Sequence, residues 1–409
     1  MDNITHSIIG FGVGEVVHRS LPDEADTQSQ RVRHRLLLVS CALASNFPDL
    51  DLFLGKRLPD PLGYLLYHRG HTHTALMALP QALLLAALLW LCWPSARALL
   101  RASMPARWGL TASIAAGLAL HLLLDFTNSY GVHPWYPFDG RWLYGDMVFI
   151  VEPLFWVAFG VPMALVMRWR FARMAGPAGL LAVLVAFAVK GYLGWTSFAA
   201  LLLIGALCGA AQWRAGTRGR AGLLLALGVG LGFIAVQGVA SQAGRQQITA
   251  ALQGIDPASR VLDVAMTAFP SQPLCWSFVS VESNEAQGNY RLRRGVASIA
   301  PTWLEPLACP AGLVEQLPSQ ALSPGVLQFA TASAGLQALR LLKQSNCQVD
   351  AWLRFGRAPL LALASGELSD YRFAATPRGN FTTLHFSQAL KCPDGVPGWG
   401  YPRADLLSP

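Results

Sequence analysis

The sequence predicts an all-α membrane bundle at the N-terminus followed by a soluble α+β domain. Three observations predict it. The 409 residues are 53% hydrophobic and only 13% charged, whereas soluble domains carry about 25% charge. Charge is scarce through the middle of the chain and common after about residue 245. Long uncharged runs recur before that point. The expected division is a membrane domain over 1–244 and a soluble domain over 245–409.

The spans come first. Thr74–Ala96, Gly191–Trp213 and Ala221–Gly244 contain no Asp, Glu, Lys or Arg, and a span needs about 20 apolar residues. Trp108–Leu124, Met147–Met167 and Pro177–Val189 are shorter or carry one acid, and count as further spans. Ile4–Val17 and Leu36–Phe47 are too short and read as half-helices or interfacial helices. Arginines cluster between these runs: Arg31, Arg33 and Arg35; Arg97, Arg101 and Arg107; Arg168, Arg170 and Arg173; Arg214, Arg218 and Arg220. If eight segments alternate, all four clusters share one side, and the positive-inside rule makes it cytoplasmic. The intervening stretches 46–73 and 128–146, and everything after Gly244, then face outward. The net charge of +8 follows from this topology. Without a finger motif or a basic patch interleaved with aromatics, direct nucleic-acid binding is not expected. No basic n-region precedes the first apolar run, so a removable signal peptide is not expected either.

The tail reads as one small α+β domain. Val261–Phe269, Cys275–Glu282 and Tyr290–Ile299 are strand-like, with 283–289 as a hairpin turn. Thr331–Gln344 has helical spacing, and Ala351–Phe355, Tyr371–Ala375 and Thr382–Phe386 are further strand candidates. Cys275, Cys309, Cys347 and Cys392 lie here. In an oxidising compartment four cysteines form up to two disulfides by three connectivities, and at least one is expected. A structural or gating cap is the expected role.

Chemistry concentrates elsewhere. Eight of the nine histidines lie in the first 133 residues. They come in groups: Thr5-His6-Ser7; Asn46-Phe47-Pro48-Asp49-Leu50-Asp51; His68-Arg69-Gly70-His71-Thr72-His73; and His121 with Asp125 one helical turn on. Residues i and i+4 share a helix face, so His121 and Asp125 can ligate one metal or neighbouring metals. Asp49 and Asp51 flank one residue after a proline and could point to one side. The topology brings all four groups to one membrane boundary, and an Asp inside an apolar helix is functional by default. Imidazole and carboxylate ligands suit zinc, manganese or iron. The expected ligands are His6, Asp49, Asp51, His68, His71, His121 and Asp125. Arg69 could clamp a phosphate, and His73 could be a ligand, a hydrogen-bond donor or a general acid. Asn46 and Asn128 could orient ligands. His18, His34 and His133 read as interfacial, and Asp139 and Asp146 as loop acids.

These groups, with His121-Leu-Leu-Leu-Asp125-Phe-Thr-Asn128-Ser-Tyr-Gly131, resemble the bacterial membrane-bound metal-dependent hydrolases, also called LexA-binding inner-membrane-associated hydrolases. The resemblance covers residues 1 to about 160. The segment Asn289-Tyr-Arg-Leu-Arg-Arg-Gly295 looks like a region of longer members. The resemblance implies an inner-membrane hydrolase but no particular substrate. The order of groups is also similar to the zinc-dependent phospholipase C and P1-type nuclease superfamily. That family's N-terminal tryptophan ligand and second His-x-x-x-Asp or Glu helix are missing, so one or two divalent ions, zinc first, are expected rather than three.

The expected activity is metal-assisted hydrolysis of a phosphoester or lipid-like substrate at the outer surface of the inner membrane. Trp135, Tyr136, Trp142 and Tyr144 nearby suggest an amphiphilic phosphate as partner, beside the bilayer itself. The alternatives are a transporter or ion-binding protein, and a regulatory membrane protein with a structural metal. No repeat between halves, the usual mark of a transporter, is visible.

Overall fold

A computed structural model describes residues 1–167, 169–313, 318–373, 380–387 and 391–408. Arg168 and the 374–375 end of the strand candidate Tyr371–Ala375 lie outside the described residues.

Eight longer helices form the N-terminal bundle: α1 (Asn3–Ser20), α2 (Thr27–Ala44), α4 (Ala75–Cys92), α6 (Met104–Phe126), α7 (Pro153–Val166), α8 (Arg170–Val189), α9 (Trp195–Ala215) and α10 (Ala221–Ile255). Two short helices, α3 (Leu62–Tyr67) and α5 (Pro94–Ala102), complete it. Sequence chemistry marks the starts. Asp2, Asp26, Thr74 and Ser103 each accept a hydrogen bond from a first-turn backbone N–H of α1, α2, α4 and α6, satisfying donors that a helix otherwise leaves open. Among the described residues, six helices are long and apolar enough to cross a membrane: α2 with its 3₁₀ extension to Arg57, α4, α6, α8, α9 and α10.

Three expectations change here. The segments expected as half-helices at 4–17 and 36–47 are full helices of 18 residues each. The span expected over Met147–Met167 is a helix of 14 residues beginning at Pro153. At 1.5 Å per residue it is about 21 Å long, short of the roughly 30 Å hydrocarbon core. Helix α5, with Arg97 and Arg101 on its polar side and Ala96, Leu99 and Leu100 buried, carries too few residues to stand out as an apolar run.

Helices α1 and α7 lie inside the bundle rather than at its surface. Helix α1 can do so because it is lined with glycine. A Cβ on Gly10 would lie 2.7 Å from Ser45 Oγ and 2.9 Å from Ala42 Cα. On α6, a Cβ on Gly117 would lie 2.6 Å from the Cys41 carbonyl. Small residues let backbones approach closely where lipid, rather than water, surrounds the bundle. Helices α1, α2 and α6 thereby form a tight triplet, which holds His6, His121 and Asp125 together. Of the buried residues of α7, Phe155 faces Gly230 of α10, Val157 faces Gly205 of α9, and Phe159 faces Gly12 of α1.

The bundle ends differ. Arg19, Arg33, Arg107 and Arg220 gather at one end, where Arg19 donates to the Gly219 carbonyl, Arg220 to Ser20 Oγ and Ser103 to Glu24. His6, Asp49, His73 and Asp125 lie at the other.

Helix α10 has 35 residues, about 52 Å, and runs through the expected boundary at Gly244. Its last turns leave the bundle, and Ile248 and Leu252 are buried with Val264, Met266 and Trp276 of the tail. The tail carries an antiparallel sheet in the order β1-β2-β3-β5-β4, comprising β1 (Arg260–Phe269), β2 (Gln272–Asn284), β3 (Asn289–Ser298), β4 (Gln320–Ser323) and β5 (Val326–Gly335). The hairpin turn falls where expected, closed by Gly288 at φ +65°. Helices α11 (Leu336–Ser345) and α12 (Cys347–Leu353) follow, then a small sheet of β6 (Pro359–Ala362), β7 (Glu367–Asp370) and β8 (Leu384–His385). The helix expected from Thr331 begins only at Leu336. Thr331 pairs with Arg293 in the sheet, because the helical spacing of Leu336, Leu339 and Leu342 carries no information before its first member. The strand expected at Ala351–Phe355 is the end of α12, capped by Asn346; a short apolar run does not distinguish the two. Cys275 pairs with Cys309 and Cys347 with Cys392.

The tail sits on the site end of the bundle. Trp399 donates to the Leu66 carbonyl at 2.8 Å, and Trp142 to the Arg354 carbonyl at 2.7 Å. Leu62, Leu65 and Leu66 of α3 share one core with Trp352, Phe355 and Trp399.

Candidate metal centre

Four elements deliver the site. A 3₁₀ stretch after α2 (Phe47–Arg57), started by Pro48, carries Asp49 and Asp51 and buries both. The chain leaves α3 at His68 and turns sharply at Arg69, whose φ is +57°. A second 3₁₀ turn, His71–His73, precedes α4. Gln81 of α4 is buried and donates to the Thr72 carbonyl at 2.7 Å, tying that turn to the helix. Helix α6 presents His121 and Asp125 on one face, and α1 brings His6.

Asp49, His73, His121 and Asp125 are all buried, and one ligand atom from each lies within 4.8 Å of every other. His73 Nε2 is 2.9 Å from His121 Nε2, 3.4 Å from Asp49 Oδ1 and 3.3 Å from Asp125 Oδ2. His121 Nε2 is 3.6 Å from Asp49 Oδ1 and 3.5 Å from Asp125 Oδ2. Ligands about 2.0–2.2 Å from a tetrahedral metal lie about 3.3–3.6 Å apart; the four imidazole–carboxylate separations match the edges of such a site, and the His73–His121 separation of 2.9 Å is shorter. Asp125 Oδ2 is a buried carboxylate oxygen with no hydrogen-bond partner, although the Arg69 guanidinium lies 3.0 Å away in poor alignment. Two carboxylates and two imidazoles converging on one point fit a divalent ion.

Neighbouring groups aim these ligands. His121 Nδ1 lies 2.7 Å from the Ser45 carbonyl, which can only accept, so Nδ1 carries the proton and Nε2 keeps its lone pair for a metal. Asp51 does the same for His73, with Oδ2 3.0 Å from Nδ1, and is itself held by Thr72 Oγ1 at 2.8 Å. Asp49 belongs to a second group with Asp51 and His68. His68 Nδ1 is 3.2 Å from Asp51 Oδ1, and its ring is half-buried.

The remaining expected residues fall as follows. His6 stacks on His121 with ring centroids 4.2 Å apart, and its Nε2 is 3.3 Å from Asp125 Oδ1. The amino group of Met1 reaches the same oxygen. His71 is not brought into either ligand group; its ring packs on Trp399 and Tyr136. Arg69 is buried, donates to Asn128 Oδ1 at 2.8 Å, and lies over the Tyr130 ring, so it holds Asp125 and the following loop. Asn46 donates to Ser7 Oγ and the Ala42 carbonyl, bracing α2 against α1. His18 and His34 lie at the opposite end with Glu15, and His133 stacks on Trp399.

The sequence does not single out Ser45, Thr72 or Gln81 for these roles. Ser45 acts through its carbonyl, which every residue has, so no side-chain signal exists. Thr72 and Gln81 carry ordinary polar side chains and become meaningful only once the turn and α4 are in place.

Taken with the fold, the site defines the class: a multi-pass membrane protein with a buried Asp/His cluster able to hold a metal at one end of its bundle. Residues 1–198 match the model of the YdjM inner membrane protein family, which places the similarity on the half that carries the cluster. The chain is also 26% identical over 158 residues to a Bacillus subtilis (strain 168) protein described as uncharacterized protein YfhP. That match covers 39% of this chain and 44% of the relative, so less than half the relative's length is spanned. No solved structure matches.

Proposed function

We propose that this protein is an inner-membrane metal-dependent hydrolase acting on a phosphoester or lipid-like substrate at the outer surface of the membrane. The observation that carries this reading is the convergence of Asp49, His73, His121 and Asp125 within 4.8 Å of one another, with Asp49 shared by a second, less enclosed group containing Asp51 and His68. A divalent metal there would supply Lewis acidity and an activated water. The protein's own groups do the rest. Asp51 orients both His73 and His68. His68, half-buried at the edge of the cluster, is placed to exchange a proton with substrate. Arg69 fixes Asp125 and offsets the charge of three neighbouring carboxylates. Exposed apolar side chains surround the carboxylates and the adjoining loop, among them Leu50, Leu52, Phe53, Trp135 and Phe138, and they suit an amphiphilic substrate.

A second reading rests on a specific feature. Four buried protein ligands also describe a closed structural site. Metal analysis of the purified protein, paired with a panel of phosphomonoesters, phosphodiesters and phospholipids, separates the two. Hydrolysis abolished by chelation, restored by zinc or manganese and lost in Asp49→Asn supports the enzyme. Stoichiometric metal with no turnover of any phosphoester supports the structural site.

Orientation follows from the arginine-rich end, to which α7, though short, returns the chain before α8: Gly209 of α9 faces Val161 and Leu165 of α7. Reporter fusions after Arg101 and after Ile255 are expected on opposite sides of the membrane, with the tail in the periplasm. The same side for both would overturn this topology.

A further inference from the structure

We propose that the pocket between the start of α2 and the α4–α5 junction binds the phosphate head of an acidic membrane lipid. The pocket, about 170 Å³, is lined by Gln28, Arg31, Val32 and Arg35 of α2 and by Trp93 and Ser95 beyond α4. Arg31 and Arg35 are one helical turn apart and share a face. Among the described residues, no acidic one lines the pocket.

The arginines of this end divide into two kinds. Arg33, between the two, is buried and bonded to Glu24, Gln30 and the Pro22 carbonyl. Arg19, Arg107 and Arg220 are likewise engaged with protein groups. Arg31 and Arg35, like the exposed Arg214 and Arg218, have no hydrogen-bond or ion-pair partner among the described residues, but they alone of these four line the pocket. Two unneutralised guanidiniums facing one concavity favour an anion that can accept several N–H bonds, and a phosphate is that anion.

The surroundings select a lipid as its source. Helix α4 is among the least buried of the bundle. Leu84, Leu88 and Leu91 on it are exposed and lead to Cys92 and the pocket wall at Trp93. A lipid can place its head between Arg31 and Arg35 while an acyl chain follows those leucines. Trp93 then sits at headgroup depth, where tryptophan concentrates in membrane proteins.

The site is independent of the hydrolase reading, since it lies at the opposite end of the bundle. Full-length protein in neutral detergent, titrated with phosphatidylglycerol and followed by native mass spectrometry, tests it. Arg31→Gln/Arg35→Gln should bind phosphatidylglycerol on the order of ten- to thirty-fold more weakly than the parent, as two lost cationic contacts imply. Arg214→Gln/Arg218→Gln removes the same charge from exposed positions at the same end and should bind as the parent does. Ser95→Phe fills the pocket without changing charge and should also weaken binding, which covers the case of a misfolded double variant. Phosphatidylcholine and inorganic phosphate should bind far less. Equal binding by parent and pocket variants, or equal loss in the control, overturns the site. Inorganic phosphate competing at concentrations like the lipid's overturns the lipid as its source.

Discussion

Purified protein is expected to hold a divalent transition metal, and to lose it in His121→Ala and Asp125→Asn. His121 Nε2 and Asp125 Oδ2 form one edge of the four-ligand cluster, and each replacement leaves three ligands. Asp125→Asn keeps size and polarity but removes charge a divalent ion requires. Removing a positioning carboxylate should cost less. Asp51 lies behind His73 rather than inside the cluster of four, so Asp51→Asn should weaken affinity about 10–100-fold and leave metal bound at high concentration. Losing a metal present at ~100 times its Kd removes about 2.7 kcal/mol of stability, so chelation should lower the Tm of the parent and change the Tm of His121→Ala little. Elemental analysis and unfolding with and without chelator read both effects. Full occupancy in both ligand variants, or no transition metal in the parent, would exclude a metal at this cluster.

The second large effect is expected at the junction of tail and bundle. Asp146, in the loop before α7, sits in left-handed backbone at φ +53°. Arg357 of the tail donates to both its carboxylate oxygens at 2.9 and 2.8 Å, and to Asp263 Oδ2 at 2.6 Å. Arg245 of α10 reaches Asp146 from another side at 2.8 Å. The Arg357 and Asp146 side chains are 3% and 0% exposed. Removing Arg357 leaves the buried carboxylates only Arg245 and Arg403 as cationic partners, a loss of up to about 3–5 kcal/mol. Arg357→Ala should therefore lower the Tm and open the region after Ile255 to protease. Arg357→Met with Asp146→Asn and Asp263→Asn removes the Arg357 charge and both carboxylates, leaves Arg245 and Arg403 at the partly exposed edge of the group, and should recover much of the loss. An unchanged Tm in Arg357→Ala would show that the tail docks by its apolar contacts alone.

The same group sets a pH dependence. Burial would raise the Asp263 carboxyl, but Arg357, then Arg403 and Arg245, hold it below the usual carboxylate range. A carboxyl lowered on folding adds stability above its unfolded pKa of about 3.9 and loses it as pH falls toward the folded value. Parent protein should thus become less stable below about pH 4, and Asp263→Asn should show a smaller acid loss.

Most of the bundle was legible in the sequence because a bilayer imposes a length and an apolarity that can be read residue by residue. Helices α4, α6, α8, α9 and α10 follow from that constraint. Helix α7 does not, since an apolar run also describes a helix buried in protein, and its proline start lies six residues inside the run. The tail hairpin was legible from alternation and a polar turn. The β5–α11 switch was not, because strand pairing with β3 overrode the local pattern.

The sequence by itself determined which chemistry is present: carboxylates and imidazoles grouped before and within apolar helices, where uncompensated polarity is costly. Only the tertiary structure decided which of them meet. His73, with Asp49, His121 and Asp125, closes the four-ligand set, while His71, two residues earlier, packs on Trp399. Their motif spacing cannot separate the two, because a 3₁₀ turn points neighbouring side chains in different directions. The triplet of α1, α2 and α6 and the tail resting on α3 fix which direction is inward.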